Sequence, residues 1–149
     1  MASKADRPLI FLMAVVVSAD VAPTNGKARP SSAKLKKMNA VLQHRFPDLS
    51  DDERWKVVGQ ALGGIPDIKD GVKLLTLVDK QARKLNTLLE GNPRRCRSVL
   101  KYLTAIASAN DEITPQELRV IQTTARALGA TDNLEVGEDE WGERTLKVA

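Results

Sequence analysis

At 149 residues, with 42% apolar and 28% charged positions, the chain has the size and balance of one globular domain and not of a disordered segment. One cysteine excludes a disulfide framework, and 3% aromatic content leaves Leu, Val, Ile and Ala to fill the core. The net charge of +4 is unevenly placed, with basic clusters in the body and an acidic C-terminal stretch.

The first segment, MASKADRPLIFLMAVVVSAD, carries an apolar run from Leu9 to Val17 that is too short to span a bilayer. Val17-Ser18-Ala19 has the form of a signal-peptidase site. The run is apolar nearly all round and Pro8 suits a first helical turn, so it reads as a buried first helix. DVAPTNGKARPSS follows as a loop by composition, and Ser31 or Ser32 caps a second helix with Leu35, Met38, Leu42 and Phe46 inward. Ser50 to Glu53 has the capping-box form and opens a third helix, its inner stripe Trp55, Val58 and Leu62, stopped by Gly63-Gly64.

A longer helical pattern runs from Asp67 to Glu90 through Ile68, Val72, Leu75, Val78, Ala82, Leu85 and Leu89. Asn92-Pro93 opens a fifth helix with Cys96, Val99, Leu100, Leu103 and Ile106 inward. Thr114-Pro115-Gln116-Glu117 is a second capping box, and Gly129 fits the cap that ends that sixth helix. No segment shows sustained strand alternation. The expected fold is an all-α bundle of six to seven helices over residues 1–130. Residues 131–149 form an acidic tail, including Asp132, Glu135, Glu138, Asp139, Glu140 and Glu143, that Trp141 could pin to the body.

Two parts of the chain repeat one pattern: apolar helix, small polar joint, capped helix. In this alignment Asp20 matches Asn110 and Lys34 matches Glu117, with about seven extra loop residues in the first copy. Packed together, two such hairpins would bury both apolar runs.

These segments, SADVAPTNGKARPSSAK and ASANDEITPQE, resemble the joints of the tellurite-resistance TerB-like family, which also includes the N-terminal domain of membrane-anchored DnaJ-like co-chaperones. The likeness covers about Pro8 to Gly129. It implies a helical stress-response module acting through partners near the membrane, with a divalent cation such as calcium held by acids at the joints. The positions corresponding to that role are Asp20, Asn110, Asp111, Glu112 and Glu117. The chain departs from the family pattern at Asn110 (Asp in the family), Asp111 (Gly) and Lys34 (Glu).

The residues themselves also permit helix capping: Glu117 can bond back to Thr114, and Asp111 and Glu112 suit a helix start. Catalytic signatures are lacking, with His44 and Cys96 each reading as structural. A non-enzymatic, cytoplasmic interaction module is therefore expected. Lys27, Arg29, Lys34, Lys36, Lys37, Arg94, Arg95, Arg97 and Lys101 would form its anion- or partner-binding surface, for which the acidic tail would compete. The rival expectation is a small basic regulatory protein bound to nucleic-acid backbone. An anionic membrane surface would attract the same residues.

Overall fold

The structure is a computed structural model that describes residues 6–19, 32–63, 65, 71–109 and 113–148. It is all-α, apart from one small hairpin near the C-terminus. The helices are α1 (Asp6–Ala19), α2 (Ser32–Arg45), α3 (Asp51–Gly63), α4 (Gly71–Leu88), α5 (Pro93–Ala107) and α6 (Pro115–Ala127).

Helix α1 is the central rod. Leu9 and the whole run Leu12 to Val17 are buried, and α1 packs against each of the other five helices. A helix without a polar face gains most by being surrounded, each fully buried Leu or Val contributing roughly 1.5–3 kcal/mol. It begins two residues earlier than expected, at Asp6, whose carboxylate is buried and 3.7 Å from Arg45.

The pairwise packing is that of two matched hairpins, α1–α2 and α5–α6. The first helices, α1 and α5, lie against each other, and each also packs on the other hairpin's second helix. Helices α3 and α4 complete the bundle, α3 on α1 and α2, α4 on α1 and α6.

Local chemistry sets the ends. Ser50 and Glu53 close a reciprocal capping box on α3, with bonds of 3.2 and 3.0 Å. The Ser50 backbone and hydroxyl donors hold the Glu53 carboxyl below its ordinary value. Between α4 and α5 the chain turns through Glu90 and Gly91, both at positive φ. Asn92 then caps α5 by accepting from the Arg94 and Arg95 amides.

Three expectations need correction. Trp55 is 39% exposed, and the buried side of α3 runs through Arg54 and Val58 instead. Arg54 can be buried because its guanidinium is satisfied by the Leu49 carbonyl, Asn39 and Asp51. Val72 is 73% exposed at the first turn of α4, before that helix reaches the core.

The third correction is the tail. After a 3₁₀ turn at Thr131–Asn133, β1 (Leu134–Glu138) and β2 (Arg144–Val148) form an antiparallel hairpin, Val136 opposite Leu146. Asp139 organises its tip, one carboxylate oxygen accepting from the Trp141 and Glu143 amides. The hairpin docks through Leu146, which is 7% exposed, with β2 against α5 and Arg144 donating to the Ile113 carbonyl at 2.8 Å. Trp141 pins nothing: it stands 83% exposed.

Candidate docking surface

The two hairpins meet at a buried ion pair. Lys34 and Glu117 are each the third residue of their helices, α2 and α6. The Lys34 ammonium lies 2.7 Å from both carboxylate oxygens of Glu117, and neither side chain has any exposure. Glu117 Oε1 also accepts the Thr114 amide at 2.9 Å, closing the α6 capping box with the Thr114 hydroxyl. One carboxylate thus serves as helix cap and as counter-ion.

This overturns the expectation that Lys34 lies on an anion-binding surface. It falls in register with Met38, Val41 and Leu42, the buried stripe of α2, and that register carries it inside. Glu117 is likewise a poor cation ligand as it stands. A calcium ion takes six to eight oxygens, and both oxygens of this carboxylate already face an ammonium. The remaining four cation candidates, Asp20, Asn110, Asp111 and Glu112, lie outside the described residues. Among the described residues no cluster of His, Cys, Asp and Glu could hold a metal. Of the five candidates, Glu117 alone lies among the described residues, and its carboxylate is held by Lys34.

The basic residues separate into two faces. Lys27 and Arg29 lie outside the described residues. Lys36 and Lys37 are exposed on α2, and with Ala33 and Ala40 they line one wall of a groove. Ala105 of α5, with Ser108 and Ala109 just past its end, lines the other. Arg94, Arg97 and Lys101 extend this α5 face, since successive members from Arg94 to Ala105 are three or four residues apart. Arg95 does not belong to it. It faces instead a cavity beside Ser98, Val99 and Tyr102.

The groove is shaped by its small residues. Alanines at Ala33, Ala40, Ala105 and Ala109 leave a shallow trough of about 510 Å³ between adjacent helices. Neither α2 nor α5 contains an acidic residue, so nothing on these two helices neutralises the lysines and arginines. Ser108 is shared with a second depression, beside Asp139, Glu143 and Trp141 of the hairpin. The trough therefore runs from a basic stretch toward an acidic tip.

The other candidate groups are structural. Cys96 is buried against Asn86 at 3.5 Å, and burial pushes its thiol above the usual range. His44 is exposed at the end of α2. The sequence spacing carries a signal for the groove: Ala33 and Ala40 seven apart on α2 flanking Lys36 and Lys37, and Ala105 and Ala109 four apart at and just past the end of α5.

No helix among the described residues is long and apolar enough to cross a membrane. No family model, curated protein or solved structure matches this chain.

Proposed function

We propose that the protein is a non-enzymatic, TerB-like interaction module that docks an acidic helical segment of a protein partner along the α2–α5 groove. The observation that carries this reading is the alanine-floored trough walled by two helices rich in Lys and Arg and free of Asp and Glu. Small floor residues let a guest helix approach closely, and the uniform charge sets its sign and speeds encounter. The acidic hairpin at the Ser108 end orients the guest, favouring a basic residue there. The paired hairpins and matched third-position residues support the TerB-like assignment; the Lys34–Glu117 pair replaces a cation role with a built-in ammonium.

Nucleic acid is the weaker fit. Trp55 stands on α3, and Trp141 lines the hairpin depression beside Asp139 and Glu143, whose charges repel a phosphate backbone.

The test is titration with a glutamate-rich amphipathic helical peptide and, separately, duplex DNA, at low and moderate salt. The wild type should bind the peptide, and Lys36→Glu with Lys101→Glu should abolish binding without changing the unfolding midpoint. Peptide binding that survives these changes rejects the groove. Tight DNA binding that collapses steeply with salt, without peptide binding, selects the nucleic-acid reading.

A further inference from the structure

On a different face of α5 the structure contains a cavity of about 350 Å³ that the docking groove does not use. Its floor is aliphatic: Leu9 of α1, Leu85 and Leu89 at the end of α4, and Val99 of α5, all buried. Two arginines line it, Arg45 from the end of α2 and Arg95 from the first turn of α5. Ser98 and Tyr102 complete the α5 side. The volume is within the roughly 300–1,000 Å³ range of small-molecule pockets.

The charges are not balanced. Among the described residues Arg45 pairs with one carboxylate, Asp6, at a loose 3.7 Å. Arg95 has no carboxylate within ion-pair distance among the described residues. A cavity with an aliphatic floor, and with one compensated and one uncompensated arginine in its polar lining, is complementary to a molecule with an aliphatic chain and a single oxyanion head. Guanidinium groups match a carboxylate or a phosphate through two parallel N–H···O bonds. A floor without aromatic rings suits a flexible chain.

The geometry points to this cavity as a binding site for a medium-chain alkyl oxyanion, the chain lying on Leu9, Leu85, Leu89 and Val99 and the head on Arg95 and Arg45. The basic residue Arg95, spaced away from its neighbours Arg94 and Arg97, is thereby given a separate role. The site is independent of the α2–α5 groove, so either can fail alone.

Calorimetric titration of the full chain with octanoate, octyl phosphate, octanol and octylamine tests it. Octanoate or octyl phosphate should bind with unit stoichiometry, and whichever binds tighter identifies the natural head. Across hexanoate, octanoate and decanoate, affinity should rise about fourfold per methylene until the cavity is full. Octanol and octylamine should bind at least about tenfold more weakly, and Arg95→Gln, an exposed change that leaves the fold intact, should weaken octanoate by about tenfold. Ser98→Phe, filling the cavity, should abolish octanoate binding and leave the acidic-peptide affinity unchanged. Absence of binding by both anions, equal binding of octylamine, or an unchanged affinity in Arg95→Gln would overturn the proposal.

Discussion

Lys34 and Glu117 occupy equivalent positions in two similar helical hairpins, and they are bonded to each other across the interior, ammonium to carboxylate at 2.7 Å. Each brings the other's counter-charge into a site closed to solvent. Such a pair contributes little net stability compared with apolar replacements, but breaking it leaves a charge with nowhere to go.

Lys34→Met alone should therefore cost about 3–5 kcal/mol. Adding Glu117→Gln removes the stranded charge while a glutamine keeps the capping box, and should recover more than half of that loss. Urea unfolding at unchanged slope measures both. If the double variant is no more stable than the single, the ion pair is not what Lys34 supplies.

The same joint makes a prediction about cations. The wild type should show no calcium-dependent rise in melting temperature, because an ammonium already holds Glu117. Lys34→Glu sets two carboxylates against each other, so it should melt lower and then regain stability in millimolar calcium. A wild-type melting temperature that rises with calcium as steeply as the variant's would show that acids elsewhere at the joint bind the ion.

Docking of the hairpin through Leu146, with Trp141 left in solvent, separates two residues that look alike in sequence. Leu146→Ala should destabilise by about 2 kcal/mol or more. Trp141→Ala should stay within about 0.5 kcal/mol of wild type. Thermal unfolding of both variants checks the contrast, and equal losses would mean that the ring is buried in solution.

Asp139 and Glu143 of the hairpin line a depression that shares Ser108 with the basic trough, and Glu140 lies between them in the chain. Neutralising Glu140 and Glu143 to Gln should strengthen binding of the glutamate-rich peptide at low salt, and the gain should vanish at high salt, as expected for exposed charges. Unchanged affinity at low salt would detach the hairpin from the docking surface. Asp139 is left out of the variant because it bonds the turn amides.

Burial raises the thiol pKa of Cys96, so less thiolate is present in the folded chain than in the unfolded one. The sign follows: the folded state prefers the neutral thiol, and this preference lowers stability only as pH climbs above the unfolded thiol's value. Maleimide labelling at mildly alkaline pH should be much slower than in urea. Equal rates would place the thiol at the surface.

Much of this architecture was readable from spacing. The six helices, the buried first rod and the two capping boxes follow from apolar periodicity and from Ser50–Glu53 and Thr114–Glu117 chemistry, all of it local. Lys34 was misplaced because a lysine is ordinarily a surface residue, although its register with Met38 and Val41 argued otherwise. Only the distant Glu117 makes its burial possible, and a contact spanning 83 positions leaves no local trace. Trp55 reads inward by its spacing with Val58 and Leu62, yet Arg54 beside it has the better set of acceptors. The hairpin leaves little trace because Leu134, Val136, Leu146 and Val148 alternate over strands of only five residues amid acids. The docking trough and the cavity each combine residues from helices far apart in the chain, and Arg95 separates from Arg94 and Arg97 only once α5 is seen wound.

The opposite signs of Lys34 and Glu117 also determine what the molecule cannot become. Were either hairpin expressed alone and matched with its own duplicate, amine would confront amine, or acid would confront acid, in the driest part of the contact. The two halves are a couple by charge: each completes the other and would be a misfit against its own copy.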